Sequence, residues 1–149
     1  MKRGLAAFLS ATMVCVMFSA CSNSAQENSS SDEQQSSNEN TKGTIAVVTK
    51  TMNNPFHVTY AETIQEAGEA AGYEVVIAGP DAETDVDRQI SLIETYIEQD
   101  VDAIVASACS STSIVDVIER ADEAGIPFFL VDSGADGGPY VSFIGTDNY

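Results

Sequence analysis

Basic residues are scarce in this 149-residue chain, which has six lysines and arginines against 23 aspartates and glutamates. The formal net charge at pH 7 is −17, with the single histidine counted as neutral. Nucleic acids and anionic membrane surfaces are bound through clustered positive charge, which this composition does not provide. The sequence therefore predicts no nucleic-acid partner, and it makes each lysine in the folded part a candidate for a specific role.

Histidine and cysteine are also too few for several common chemistries. The chain has one histidine, His57, and three cysteines, of which only Cys109 falls in the part expected to fold. This excludes an internal disulfide there and leaves too few ligands for a metal site, so we expect no metal. Cys109 has no neighbouring histidine in sequence to act as a base, and we interpret it as a small core or strand-end residue.

The glycine and serine motifs of common enzymes are absent as well. No G-x-G-x-x-G follows the first candidate strand, where "TKTMNNP" stands instead, and there is no P-loop lysine motif. The serine-rich "SACSSTS" lacks a G-x-S-x-G elbow, so we expect its hydroxyls to cap the following helix. We predict a binding protein with no cofactor; an enzyme that uses Asp132 or Cys109 is the weaker alternative.

The first 20 residues have the features of a secretory signal. Lys2 and Arg3 precede the short apolar run "GLAAFLSATMVCVMF", and small residues come directly before Cys21 in "FSAC". This pattern is typical of the bacterial lipobox, in which the cysteine is lipidated and becomes the new N-terminus. An ordinary signal with an incidental cysteine is the alternative. The interpretation predicts export and a lipid anchor at Cys21, with the bilayer as a partner on the extracytoplasmic face.

Residues 21–43 are predicted to form a disordered tether. Apart from Ala25, the segment after Cys21 is dominated by Ser, Asn, Gln, Glu and Asp. Such a composition cannot bury enough apolar surface to offset the entropy lost on ordering. A lipidated cysteine followed by a polar tether is typical of proteins that stand off a membrane, and a tether this long favours a Gram-positive cell surface.

From residue 44 onward, short apolar runs alternate with segments whose apolar residues recur at helical spacing. This pattern predicts an αβα three-layer α/β fold, with a mostly parallel sheet between helices, because strand–helix–strand units join by right-handed crossovers. Strands are predicted at 44–50, 73–78, 101–107, 126–132 and 140–145, and helices at 55–72, 86–100 and 114–125.

Polar and aromatic residues gather where these strands end, in "KTMNNPFH", "DSGAD" and "GTDNY". In parallel sheets, ligands bind outside the carboxyl ends of the strands. Amides, carboxylates and lysines hydrogen-bond to hydroxyls, and an aromatic face packs against the C–H side of a sugar. The pattern therefore predicts a sugar site. Solvated, turn-shaping or helix-capping roles are the alternatives for its members. The candidate ligand-binding residues are Lys50, Asn54, Phe56, His57, Asp132 and Thr146.

These segments resemble the first lobe of the ribose-type periplasmic binding proteins, the sugar receptors of bacterial ABC importers. The resemblance covers residues 44–149 and is carried, in order, by "TIAVVTKTMNNPFHVTYAETIQEAGEAAGYEV", "QISLIETYIEQDVDAIVAS", "ADEAGIPFFLVDS" and "FIGTDNY". It implies a type I periplasmic-binding-protein lobe, a monosaccharide ligand and an ABC permease as partner. These receptors close two lobes around the sugar, and we expect the second lobe to be absent from this chain, as in a fragment or a truncated product.

The resemblance also implies roles for single residues. Asn54 would hydrogen-bond to sugar hydroxyls, and Phe56 would stack on the ring. Asp132 matches the ligand-binding aspartate of the family, and Thr146 falls where a hydroxyl residue contacts the ligand.

Three positions depart from the ribose receptor. Lys50 stands where that receptor has a serine, and Ser133 where it has an arginine. His57 occupies a place that is often a second aromatic residue. Lysine at the first of these positions occurs in relatives that bind rhamnose or the furanose autoinducer-2, so a receptor of that type, or a chemotaxis sugar receptor, is the alternative. DNA-binding repressors share this lobe, but they would need a basic helix-turn-helix before residue 44.

Overall fold

The computed structural model describes residues 41–146. The predicted signal (1–20), the lipidation site Cys21 and nearly all of the predicted tether lie outside these residues. In the described part, strands and helices run in the order β1 (Thr44–Val48), α1 (Pro55–Ala70), β2 (Glu74–Ala78), α2 (Val86–Glu98), β3 (Ala103–Ala106), α3 (Val115–Glu123), β4 (Phe128–Val131) and β5 (Ser142–Ile144). Each predicted strand and helix is confirmed, with ends that fall one or two residues inside the predicted bounds or coincide with them. None of these helices is long and apolar enough to cross a membrane.

The strands form one parallel sheet in the order β2-β1-β3-β4-β5. Val47 of β1 pairs with Ile77 of β2 on one side and with Val105 of β3 on the other. The chain therefore leaves β1 in one direction to form β2 and returns on the opposite side to form β3. In sheets of this order, the reversal opens a crevice at the carboxyl ends of the two strands, which is where ligands bind.

Helices cover the two faces of the sheet and make three layers, as predicted. Ala46 and Val48 face the larger apolar cluster, which includes Ile93 of α2 and Ile118 of α3. Val47, between them in sequence, faces the smaller cluster with Ala61 of α1. Because side chains alternate across a strand, β1 supplies both cores, and its residues after Thr44 are all apolar.

The loop between β1 and α1 is shaped by its own polar residues. Asn54 is the N-cap of α1, and its Oδ1 accepts a hydrogen bond from the backbone N–H of Phe56 at 3.1 Å. Pro55 follows as the first helical residue, where its missing N–H costs nothing. The helix stops near Gly72, whose φ of +90° reverses the chain so that the Tyr73 N–H bonds to the Gly68 carbonyl.

The prediction that the hydroxyls of "SACSSTS" cap helix α3 is wrong. The N-cap residue is Ile114, which makes no side-chain hydrogen bond. Ser110 instead accepts a hydrogen bond from the Ser113 N–H at 3.2 Å, and so closes a turn before the helix. Ile114 is fully buried, so apolar packing fixes the start of α3 and leaves the serines in the connecting turn.

Gln89 is a fully buried polar residue on α2. The apolar pattern of the sequence indicates burial only for its neighbours on this helix. Its Nε2 donates to the carbonyl oxygens of Thr49 at 3.0 Å and Ser107 at 2.8 Å. Its Oε1 accepts from the backbone N–H of Cys109 at 2.8 Å. Since Thr49 directly follows β1 and Ser107 directly follows β3, this one amide joins the two strand ends that border the crevice.

We predict that Gln89→Leu lowers the free energy of unfolding by about 3 kcal/mol, because it leaves two carbonyls and one N–H buried without partners. Denaturant unfolding followed by circular dichroism measures the change. Gln65→Leu on α1 is the matched control, since its amide makes a single hydrogen bond at 3.5 Å to the Val75 carbonyl, and should cost less than about 1 kcal/mol. Equal losses in the two variants would contradict the role assigned to Gln89.

Candidate functional site

A cavity of about 300 Å³ lies between helix α1 and the ends of β4 and β5. This volume is at the lower end of the range for small-molecule pockets, so it suits a small ligand. Aromatic and aliphatic side chains form most of the wall, and Asp132 and Thr146 contribute polar side chains. The lining residues are Phe56, Tyr60, Ile64, Val131, Asp132, Ile144, Gly145 and Thr146.

Asp132 is the charged group of this cavity. It follows β4 with a φ of +60°, a left-handed conformation that aspartate tolerates better than most residues, and its N–H donates to the Ile144 carbonyl at 2.9 Å. Its Oδ2 accepts hydrogen bonds from the hydroxyls of Ser107 at 3.3 Å and Ser133 at 3.2 Å. No described residue hydrogen-bonds to its Oδ1, so that oxygen is available to a ligand.

Lys50 stands beside Asp132, at the end of the neighbouring crevice. Its Nζ lies 3.8 Å from Asp132 Oδ2, and its side chain is 20% exposed. An ammonium group has three N–H donors, so the contact with Asp132 leaves donors for a second partner. The pair thus presents a carboxylate acceptor and an ammonium donor side by side, close enough for one ligand to hydrogen-bond to both.

Phe56 presents an aromatic face next to these charges. The side chain is 58% exposed, although it belongs to the wall of the cavity. Behind it, the rings of His57 and Tyr60 contact Phe56 edge-on, with centroids 5.4 Å and 5.7 Å away. Edge-to-face contacts of this kind hold the exposed ring in place while one face remains available to a ligand.

Asn54 and His57 do not line the cavity. His57 is buried to 3% exposure, and its Nε2 lies 3.2 Å from Glu83 Oε1. The Asn54 Nδ2 donates to the same carboxylate oxygen at 3.3 Å, while its Oδ1 caps α1. Both side chains therefore fasten the start of α1 to the loop after β2. Their predicted direct contacts with a ligand stay predictions.

The thiol of Cys109 has the wrong chemistry for a nucleophile. Burial raises its pKa to about 11, although Lys50 acts in the opposite direction. The thiol donates to the Lys50 carbonyl at 3.5 Å. A thiol that stays protonated near neutral pH is a poor nucleophile, which agrees with the interpretation of Cys109 as a strand-end residue.

Of the six predicted ligand residues, the structure brings Phe56, Asp132 and Thr146 to the cavity and sets Lys50 against Asp132. Sequence reasoning did not find Tyr60, which lines the cavity, or Ser107, which holds Asp132. Tyr60 had a usable signal, because it lies four residues after Phe56 and so on the same face of α1. Ser107 had none, since its contact depends on strands that are distant in sequence.

The fold is that of one lobe of a periplasmic binding protein. The sequence matches the model of the periplasmic binding protein domain family over residues 45–149. The chain belongs to this family, as its resemblance predicted.

Curated relatives in the family include import binding proteins for small sugars. The chain is 32% identical over 105 residues to the ribose import binding protein RbsB of Bacillus subtilis, a match that covers 70% of this chain and 34% of that protein. It is 33% identical over 108 residues to the D-apiose import binding protein of Actinobacillus succinogenes, covering 72% and 34% of the two chains. The chain thus spans about a third of the length of these relatives.

Solved structures give the same picture. A carbohydrate transporter solute binding protein from Agrobacterium radiobacter, in complex with D-arabinose, matches with a TM-score of 0.66 and 32% identity over 71% of this chain and 36% of that one. An ABC transporter solute binding protein from Clostridium phytofermentas, with bound L-rhamnose, matches with a TM-score of 0.68 and 27% identity over 73% and 34%. These similar proteins are transporter binding proteins.

We predict that Glu83 stabilises the fold in a pH-dependent way. The hydrogen bond from Asn54, and then that from His57, lower the pKa of its carboxyl below the ordinary value of 4.5. A lowered pKa means that the stabilisation is complete above the ordinary value and is lost as the pH falls through the folded-state value. The difference in thermal midpoint between the wild type and Glu83→Gln should therefore be complete above pH 4.5 and shrink as the pH falls below that value.

The matched control is Glu62→Gln, an exposed carboxylate on α1 with no side-chain hydrogen bond to the described residues. Its difference from the wild type should stay small at every pH. A Glu83→Gln difference that does not change with pH would contradict the assignment.

Proposed function

We propose that this chain is the first lobe of the substrate-binding protein of an ABC importer and that it binds a monosaccharide. The observation that carries the proposal is that a carboxylate and an exposed aromatic ring, Asp132 and Phe56, line one cavity while the ammonium group of Lys50 lies 3.8 Å from that carboxylate. Sugars offer the complementary groups, which are several hydroxyls and an apolar C–H face. Relatives named for the import of ribose and apiose support the same ligand class.

Each group has a defined part in the proposed complex. The free Oδ1 of Asp132 accepts a hydrogen bond from one sugar hydroxyl, and the remaining donors of Lys50 bond to a neighbouring oxygen. The ring of Phe56 packs against the C–H face, and the hydroxyl of Thr146 bonds at the rim of the cavity. Asn54 and His57 hold Phe56 from behind, through Glu83 and through their contacts within α1.

A second kind of monosaccharide is favoured by one specific observation. Lys50 pairs with Asp132, and the chain is similar to a solute binding protein solved with bound L-rhamnose. The resemblance to rhamnose-type receptors rests on a lysine at this same position. A deoxyhexose such as L-rhamnose is therefore the second candidate, and its methyl group would meet the aliphatic wall formed by Ile64 and Val131.

The proposed partner of the sugar-loaded protein is an ABC permease. The support comes from the relatives, which are named as import binding proteins and as ABC transporter solute binding proteins.

We predict that D-ribose or L-rhamnose, added in large excess to the 149-residue chain, shifts the amide NMR signals around Phe56, Asp132 and Thr146. Asp132→Asn should weaken this binding by roughly tenfold or more, because it removes a charged acceptor. Asparagine also tolerates the left-handed conformation, so the fold is expected to persist. If neither sugar shifts these signals, the proposed function is wrong for this chain.

Asp100→Asn is the matched control, because Asp100 is also a left-handed aspartate, with a φ of +56°. It lies before β3, at the opposite end of the sheet from the cavity. Its substitution should leave the sugar titration unchanged, whereas an equal loss in both variants would mean that the effect arises from overall charge.

We also propose that Cys21 carries a lipid that anchors the exported protein to the membrane. The support is in the sequence, where a short apolar signal and small residues precede the cysteine and a polar segment follows it. The anchor would keep the sugar-binding lobe near its permease in the same membrane.

We predict that Cys21→Ser moves the protein from the membrane fraction to the soluble fraction when it is expressed in a bacterium. The reason is that the thiol is the site of lipid attachment, and one hydroxyl in its place cannot be modified in the same way. Fractionation and immunoblotting measure the distribution. Cys15→Ser, within the predicted signal, is the control and should remain in the membrane fraction; retention of Cys21→Ser would refute the anchor.

A further inference from the structure

The two carboxylate oxygens of Asp132 have very different surroundings. The hydroxyls of Ser107 and Ser133 donate to Oδ2 at 3.3 Å and 3.2 Å, and the Nζ of Lys50 lies 3.8 Å from the same oxygen. Among residues 41–146, none donates a hydrogen bond to Oδ1. An ionised carboxylate has about four lone-pair sites, two on each oxygen, so the two hydroxyls fill the sites of Oδ2.

Ser107 holds Oδ2 from within the core. The residue is fully buried, and its carbonyl accepts from the Gln89 amide at 2.8 Å. A buried hydroxyl that gives up its acceptor has no contact with bulk water to replace it, and an unpaired buried donor is unfavourable. The bond from Ser107 to Oδ2 is therefore costly for a ligand to displace.

Ser133 is held beside Asp132 by its main chain. Its N–H donates to the Val131 carbonyl at 2.6 Å and closes a three-residue turn centred on Asp132, whose φ is +60°. Its carbonyl accepts from the N–H of Ala108, just after β3, at 3.3 Å. The backbone of Ser133 is thus bonded on both sides, and this places its hydroxyl within reach of Oδ2.

We propose that Ser133 is a specificity-determining residue, which limits Asp132 to a single sugar hydroxyl. The inference rests on the proposed function. A carboxylate with both oxygens free can bind two adjacent hydroxyls, one on each oxygen. In this chain Oδ1 alone is open, so one hydroxyl donates to it, and the neighbouring hydroxyl finds no free site on Oδ2.

The arrangement also defines what a ligand must offer at this end of the cavity. Oδ1 of Asp132 needs one hydroxyl donor, whereas the ammonium group of Lys50 needs an acceptor, for which any neighbouring oxygen serves. The preferred ligand therefore presents one hydroxyl beside an oxygen that need not carry a proton. A sugar whose neighbouring hydroxyl is missing loses no hydrogen bond to Asp132.

The first test asks how many sugar hydroxyls depend on Asp132. The 149-residue chain and Asp132→Asn are titrated by amide NMR with D-ribose, with L-rhamnose and with single-deoxy analogues of the sugar that binds, such as 2-deoxy-D-ribose. The effect of Asp132→Asn should be non-additive with the loss of one hydroxyl and additive with the loss of each of the others. Strong coupling to two adjacent hydroxyls would overturn the proposal.

The second test is Ser133→Ala, which frees one lone-pair site on Oδ2. A second hydroxyl of the sugar can then donate to Asp132, so the preference for the parent sugar over the analogue lacking that hydroxyl should rise roughly three- to tenfold. The ratio of two affinities is the readout, because a general loss of structure would lower both together. A ratio unchanged from the wild type for every analogue would overturn the proposal.

Ser133→Thr is the matched control, because it keeps a hydroxyl at the same position. It should retain the wild-type preference, and equal changes in Ser133→Thr and Ser133→Ala would show that the shape of the turn, rather than the hydroxyl, sets the preference. If the wild type binds a sugar but Ser133→Ala changes no preference, the role of Ser133 is wrong and the proposed function stands. If the wild type binds neither sugar, both fail.

Discussion

The amide of Gln89 is the contact on which the site depends. It bonds to the carbonyls that follow β1 and β3 and to the N–H of Cys109, and so fixes the separation of two strand ends that belong to different crossovers. Lys50 extends from one of these ends, and Ser107 forms the other. Because the buried amide makes all three of these hydrogen bonds at once, a change in the separation of the strand ends would break at least one of them. Without this link, the carbonyls of Thr49 and Ser107 would need water as their hydrogen-bond partner.

Around this fixed crevice, the polar side chains divide into those that face the cavity and those that brace it. Asp132 faces it. Its Oδ2 accepts hydrogen bonds from two hydroxyls, and its Oδ1 accepts none from the described residues. Asn54, His57 and Glu83 brace it, since their mutual contacts hold the first turn of α1 and with it the exposed ring of Phe56. Few side chains therefore need to contact a ligand. Those that do are held in position by neighbouring side chains that make no ligand contact themselves.

The sequence was sufficient to predict the layers of the fold, because apolar runs and helical spacing reflect burial directly. It also placed Lys50, Phe56, Asp132 and Thr146 at one edge, since parallel strands bring their carboxyl ends together whatever their order. It could not reveal that Asn54 and His57 turn toward Glu83, because that depends on how the loop after β2 passes α1. Gln89 and Ser107 escaped notice for a related reason: each looks like an ordinary polar residue until strand register sets it beside its partners. The serines before α3 were misread because local capping chemistry lost to the burial of Ile114.

The protonated thiol of Cys109 has a practical consequence. It is the only cysteine among residues 41–146, and it sits between the Gln89 amide and the Lys50 carbonyl. With its pKa raised to about 11, it stays protonated near neutral pH and reacts slowly with alkylating reagents while the ends of β1 and β3 stay joined. The rate at which such a reagent labels this sulfur therefore reports how often the two strand ends separate. It makes local opening of the crevice measurable without an added dye.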